Sequence, residues 1–528
     1  MDSLHNKIIN ILGLESDIEK ITIVDGIKLI VDLLGENKLK TIFSNEPDKL
    51  ETKMVKDIIL DANYELIIYI SNNYFANILL DIYFVLNNPY LYDSETMKIM
   101  DNNLNYLMLV PNLIQTMLHK LYSNQKNRKF FNKYLLQKWR ESLSFTKITE
   151  DKYYEMMGSA ASKINYDRYT RVWNIFDENV KQVKKIVDKY YDLYKDMEHI
   201  PGCLNIGRDF YLYCARYHTG LPIGTDIPID KVFNWAVHEF RQLKKTMKMA
   251  ILNLEPSYDK NLSVEHLIKN ILNDKKYYYT SKHDFITSHK NVHEKYKKFY
   301  VQDNNFPLLT DVNIIDFHEE KMSGGYWFQD TFYINTYDWD KKTKFECTAL
   351  MLHETIPGHH LQISYDIHAK ASPLLYHWFF NITNGYCEGW GLFSEKLGFD
   401  FSCTDILGIL SMHMMRTLRV IVDILIHYHG IDPEEIIKLC EQYFFCPASC
   451  VRTEIYRYVC LPGQALCYKI GNEVLKCIFV KKFNRNNKLI ESDALEFYKS
   501  LIRDGIMPLN MLCDKFNIEM DDLFNIKN

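Results

Sequence analysis

The first 200 residues contain no cysteine; all twelve cysteines of this 528-residue chain lie between Cys203 and Cys513. No two stand as Cys-x-x-Cys, which argues against a zinc ribbon, and Cys440, Cys446 and Cys450 read as reduced, partly buried thiols. Glycine (20) and proline (14) are scarce, at roughly half of average usage. Sandwiches and barrels need a turn every ~8–12 residues, so a chain this poor in turn formers reads as long helices. A basic surplus is missing too. Lys and Arg (63) nearly balance Asp and Glu (68), giving a formal charge of -5 and no broad electrostatic footprint for nucleic acid. Long apolar runs are also lacking. The most apolar stretch, 66–86, is broken by Asn72, Asn73, Asn77 and Asp81, too polar for a span of ~20 apolar residues. The start, Met-Asp-Ser-Leu-His-Asn-Lys, has no basic region followed by an apolar core. A cytoplasmic protein without a membrane partner is the expectation.

What is present is ordinary globular composition, 47% apolar and 25% charged, with abundant Tyr (37) and Phe (29). The cysteine gap suggests a boundary near residue 200, dividing the chain into a helical lobe 1–200 and a second lobe 201–528. Residues 1–200 show helical stripes and no chemistry. Val180, Val183, Ile186, Val187, Tyr190 and Tyr191 form one such stripe. Glycines and prolines gather between Pro201 and Gly224, which reads as a connection between lobes. A helix should follow Pro228, and another should begin at Asp432-Pro433-Glu434-Glu435 with a capping box. Residues 331–339, dense in β-branched and aromatic side chains, are the best strand candidate.

Residues 350–362 carry chemistry: Leu-Met-Leu-His353-Glu354-Thr-Ile-Pro357-Gly358-His359-His360-Leu-Gln362. A zincin helix places His-Glu-x-x-His so that two imidazoles on one face bind Zn²⁺ and the Glu takes a proton from the activated water. Here the fourth residue after His353 is Pro357, which cannot ligate. Pro357 also interrupts an ideal helix, and Gly358 tolerates backbone angles closed to other residues. A bulged turn that absorbs two extra residues would return His359 to the face of His353. His360 is the rival ligand: on an unbroken helix it shares that face, but ~10.5 Å further along the axis. His359 is favoured. Glu388, 29 residues after His359, is the candidate third ligand, and Glu395, seven further on, falls on the same helical face.

These segments, with Glu388-Gly-Trp and Arg457-Tyr458-x-x-x-Pro462-Gly463-Gln464-Ala465-x-x-Tyr468-Lys469-x-Gly471, resemble a bacterial family known mainly as a domain of unknown function, number eight-eight-five. That family is grouped with gluzincin-type metallopeptidases, and the resemblance covers roughly 200–520. It implies a mostly α, two-lobed helical clam-shell with one short β-sheet by the active site. It implies one divalent metal, zinc by the His₂Glu donor set, and a peptide substrate. Ile455-Tyr-Arg457-Tyr458 is similar to the Ile-Arg-Tyr segment of angiotensin-converting-enzyme-like peptidases, which points to Tyr458 as oxyanion donor. Arg419, Asp423 and His427, spaced i, i+4, i+8, resemble the family's Arg…Asp…His helix. His427 joins the catalytic candidates, while Arg419 and Asp423 join His360 and Glu395 as supporting or alternative ligands. Near the C-terminus Tyr498 stands where the family usually has His.

The expected activity is peptide hydrolysis with Glu354 as general base. Arg457, Gln464 or Lys469 would hold a substrate carboxylate, as in a carboxypeptidase or dipeptidyl carboxypeptidase, and Tyr333 and Asn335 would pair with an extended peptide. Two alternatives stay open: an inactive peptide-binding scaffold, and a hydrolase of non-peptide amides or esters.

Overall fold

In a computed structural model the described residues are 110–123, parts of 136–149, 150–157, 163–195 and, with gaps of which 370–382 is the longest, 206–526. The chain divides into two compact units, Met1–Ile206 and Gly207–Asn528. The fold is mostly helical with one small sheet, as the scarcity of turn formers implies.

In the first unit, α1 (Val110–Ser123), α2 (Glu150–Met157) and α3 (Lys163–Lys195) are amphipathic. The stripe read from the sequence is buried: Val180, Val183, Val187 and Tyr190 line the inner face of α3, continued by Tyr169, Val172, Trp173 and Phe176. Tyr153 packs on Tyr166 and Tyr169 at ring distances of 5.2 Å. Residues 1–109, with the apolar stretch 66–86, and Cys446 lie outside the described residues.

The second unit opens with α4 (Arg208–Thr219), so the Gly/Pro-rich stretch is not simply a connection. Two of its glycines sit at the ends of α4: Gly207 precedes it, and Gly220 closes it at φ 67°, where a side chain would be strained. Then come α5 (Ile229–Leu254), α6 (Glu346–Glu354), α7 (His359–Ala369), α8 (Asn384–Ser394), α9 (Cys403–His427), α10 (Ala448–Cys460) and α11 (Cys467–Phe483). α9 begins with a full capping box between Ser402 and Asp405. The helix Pro433–Cys440 has a simpler cap, Asp432 accepting from the Glu434 N–H at 2.7 Å.

Two approaches bring the site elements together. Gly385 and Gly389 of α8 meet Gly471 of α11. A Cβ on Gly471 would fall 1.8 Å from the Gly385 carbonyl oxygen, so these helices touch backbone to backbone. Gly408 of α9 lies similarly against the Phe345 carbonyl before α6, at 1.9 Å for a built Cβ.

The sheet has the order β1 (Asn313–Phe317), β3 (Thr331–Asn335), β2 (Gly325–Phe328). β3 pairs parallel with β1 and antiparallel with β2. The predicted strand is therefore real but central, and all five of its residues are buried. Tyr333 stacks on Tyr326 at 5.1 Å and Asn335 is interior. Both edges of β3 are taken, so Tyr333 and Asn335 do not offer backbone to an incoming peptide. That expectation is corrected: the outer strands are β1 and β2.

Candidate metal centre

α6 delivers His353 and Glu354 in its last turn and stops there. Residues 355–358 cross over, and α7 starts at His359. The two extra residues are thus absorbed by a break between two helices, not by a bulge within one. Gly358 is the tightest point. A Cβ there would lie 1.9 Å from the His353 carbonyl oxygen and 2.3 Å from that of Leu352. Trp390 of α8 pins the crossing by donating Nε1–H to the Pro357 carbonyl at 2.9 Å.

The crossing brings the imidazoles of His353 and His359 edge to face, with ring centres 4.7 Å apart. Glu388 of α8 completes a cluster whose ligand atoms lie within 4.8 Å of one another. Its Oε2 stands 3.7 Å from His353 Nε2 and 3.4 Å from His359 Nε2. Gly391, one turn after Glu388, lies under both rings. A Cβ there would come 2.7 Å from His353 Nε2 and 2.9 Å from His359 Cε1. The Glu-Gly-Trp-Gly sequence therefore carries a candidate ligand and, three residues on, the clearance its partners need.

Behind this cluster Glu395, wholly buried, receives His353 Nδ1–H at 2.9 Å. Burial lowers the basicity of His353, but contact with Glu388 and Glu395 outweighs it and lifts the imidazole pKa to about 9. Glu388 is held well below its usual range: burial opposes ionisation, and the two histidines overcome it. Three carboxylates (Glu354, Glu388, Glu395) thus crowd two imidazoles. Two Nε2 lone pairs and one carboxylate oxygen, converging in a predominantly acidic surround, fit a divalent ion with nitrogen and oxygen ligands. His359 differs from His353 in one respect: its Nδ1 is buried without a hydrogen-bond partner.

Glu354 sits beside the cluster. Its Oε2 accepts the Trp327 backbone N–H of β2 at 3.1 Å, and burial raises its carboxyl pKa against the opposing pull of His353 and His359. Trp327 contributes a second bond that sequence reasoning missed. Its indole N–H donates to His360 Nδ1 at 3.1 Å, while His360 Nε2 meets the Thr310 carbonyl at 2.8 Å. Both nitrogens of His360 are therefore occupied, and it is not brought to the cluster as an alternative ligand.

The other sequence candidates are engaged with partners outside the His353, His359 and Glu388 cluster. Tyr458 is buried. Its hydroxyl donates to Glu454 Oε2 at 2.9 Å and accepts from Arg419 Nε at 2.8 Å, so its proton is engaged in an internal ion network. Arg457 bonds Gln464 Oε1 at 3.0 Å and Glu454 at 3.2 Å. Lys469 bonds Glu239 at 3.1 Å. Asp423 Oδ2 accepts from the Tyr211 hydroxyl at 2.8 Å and the Gly463 N–H at 2.9 Å. His427 stacks on Tyr211 at 5.6 Å and meets the Tyr458 carbonyl through Nε2 at 3.0 Å. The placement of Asp423 and His427 is that of fasteners joining α4, α9, α10 and the turn at Gly463, which corrects the catalytic expectation for His427. The phenol beside the metal cluster is Tyr468: its ring stacks on His353 at 6.4 Å and 21°, with the Arg419 guanidinium 4.5 Å from its centre. Tyr498, in place of the family's His, is buried against Trp390 at 4.9 Å.

Among the described residues no helix is long and apolar enough to cross a membrane. A family model described as "Bacterial protein of unknown function (DUF885)" matches residues 46–515. No curated protein matches the sequence. Two solved structures share the fold. The chain is 17% identical to "the putative lipoprotein from Colwellia psychrerythraea", with a TM-score of 0.56, covering 91% of this chain and 78% of that one. It is 14% identical to "a putative lipoprotein of unknown function from Shewanella oneidensis", with a TM-score of 0.59, covering 98% and 97%.

Proposed function

We propose, for a chain that belongs to the bacterial family of unknown function DUF885, that it is a metal-dependent peptidase. The observation that carries this reading is the convergence of His353 Nε2, His359 Nε2 and Glu388 Oε2, with Glu395 behind His353 and Glu354 alongside. His353, His359 and Glu388 would hold the ion, and zinc is the choice that suits their donor set. When bound, zinc supplies Lewis acidity that polarises a carbonyl and acidifies water.

The chain's own residues do the rest. Glu395 fixes the ring orientation of His353, so that Nε2 faces inward. Trp327 N–H fixes one oxygen of Glu354, and the other takes a proton from water and returns it to the leaving amine. Tyr468, in place of Tyr458, is our candidate for the hydroxyl that stabilises negative charge on the carbonyl oxygen. β2 takes over the peptide-pairing role first expected of β3, because it is an outer strand and its Trp327 N–H already reaches Glu354.

The test joins metal analysis to Glu354→Gln. The variant should keep stoichiometric zinc and lose ~10²–10⁴-fold of peptide hydrolysis. Zinc retained with activity intact would remove Glu354 as base. Zinc retained by a wild-type chain that cleaves small amides or esters but no peptide would redirect the substrate class. A cytoplasmic location remains part of the proposal, and fractionation separates it from the lipid-anchored placement in the neighbours' descriptions.

A further inference from the structure

α9 carries more buried donors than the site described so far uses. Arg419 is engaged, with Nε on Tyr458 and a terminal nitrogen on Glu454 at 2.8 Å. Arg416 is different. It is 5% exposed, its Nε has no hydrogen-bond partner, and its Nη1 meets only the thioether sulfur of Met412. His413, three residues earlier, is 1% exposed and neither of its ring nitrogens has a partner. Residues i and i+3 adjoin on a helix face, so the two side chains form one recess of unused donors. A buried guanidinium nitrogen without an acceptor is costly even with the carboxylates of Glu346 and Glu354 in its field, and a further anion relieves that cost.

The recess is close to the chemistry. The Arg416 guanidinium lies 5.8 Å from the Tyr468 ring centre, and that ring lies 6.4 Å from His353. At ~3.3–3.6 Å per residue, at most about four residues of extended peptide span those two steps. The cations that the sequence offered for this purpose are occupied, Lys469 by Glu239 and Arg457 by Gln464 and Glu454.

We infer that Arg416, with His413 beside it, binds the C-terminal carboxylate of a peptide, which makes the chain a carboxypeptidase or dipeptidyl carboxypeptidase. The inference rests on the peptidase reading above. A guanidinium suits the task because its planar fork can grip both carboxylate oxygens. His413 contributes a donor and not a second charge, since burial holds it well below the usual imidazole range.

The test has two arms on the full chain. In the first, zinc-loaded protein is assayed on peptides that differ only in a free or amidated C-terminus. The free acid should be preferred by at least ~100-fold in kcat/KM, mainly through KM, and Arg416→Gln should abolish the preference. In the second, metal-free protein is titrated calorimetrically with N-acetyl-dialanine and its amide. The acid should bind at least ~10-fold tighter, and Arg416→Gln should equalise the two. If Arg416→Gln does not fold, Arg416→Lys keeps the charge and loses the fork, and the acid preference should shrink by ~10-fold. Peptides cleaved with no acid preference would overturn the recess and leave the peptidase reading standing. Selective acid binding without hydrolysis of any peptide would do the reverse. Acid preference unchanged in both Arg416 variants would also overturn the recess.

Discussion

Two buried histidines of the second unit each sit near a carboxylate and a tyrosine, and they do opposite things. His353 donates Nδ1–H to Glu395 and directs Nε2 toward His359 and Glu388, and its pKa rises to about 9. His427, i+4 from Asp423, directs Nε2 to a backbone carbonyl; burial dominates, and its pKa falls to about 4. In the first case ligand atoms converge on a common point. In the second, Asp423 binds Tyr211 and Gly463, and the fold joins its own elements. Residue types are alike in the two; what separates a candidate metal cluster from a fastener is whether polar atoms are left pointing at one place.

The sharpest break of that contrast is at the ligands. His359→Ala should lose stoichiometric metal, whereas His360→Ala should keep it, because both nitrogens of His360 are bonded to Trp327 and Thr310. Elemental analysis of reloaded protein reads this directly, and the opposite pattern would exchange the roles of the two residues. Next in size is the choice of phenol. Tyr468→Phe should lower kcat by ~10²–10³, while Tyr458→Phe should stay within a few-fold of wild type and act mainly on stability. A large kcat loss in Tyr458→Phe alone would return the oxyanion role to Tyr458. Glu395→Gln should weaken metal binding by ~10–100-fold, measured by competition with a chelator, because His353 loses its charged orienting partner. Unchanged affinity would reduce Glu395 to packing.

The effect at the fastener is read in stability, not in metal or activity. Burial raises the Asp423 pKa from 3.8 to about 7. Between those values the folded chain holds a proton that the unfolded chain has released, so stability falls as pH rises from about 4 to 7 and then levels off. Asp423→Asn keeps an acceptor for Tyr211 and Gly463 and should remove that decline, stabilising the protein at pH 8 by on the order of 1–4 kcal/mol. Peptidase activity should change little. Thermal melts across pH 4–8 decide: a variant less stable at pH 8, with the slope unchanged, would mean that the ionised carboxylate is favourable.

The metal-ligand candidates were legible because ligation demands a few residue types at short separations. His353, Glu354, His359 and Glu388 could be picked from two local segments despite the intervening Pro357. Tyr468 was not legible. With 37 tyrosines in the chain, which phenol reaches His353 depends on Gly385, Gly389 and Gly471 letting α8 and α11 touch, a contact between distant segments. β3 was identifiable as a strand but not as the middle one, since its neighbours on both sides are set by pairing. Arg416 escaped notice because a buried arginine with an unbonded Nε looks like any other in a sequence.

The break between α6 and α7 alters what would control a bound metal. In an unbroken zincin helix the separation of the paired imidazoles is a constant of helical pitch. Here each histidine rides on its own rod, and the bite between them depends on how Gly358 nests under the 352–353 carbonyls and how Trp390 tethers Pro357. The grip on a proposed ion would then be an adjustable caliper, whose setting neighbouring side chains could retune without changing any candidate ligand.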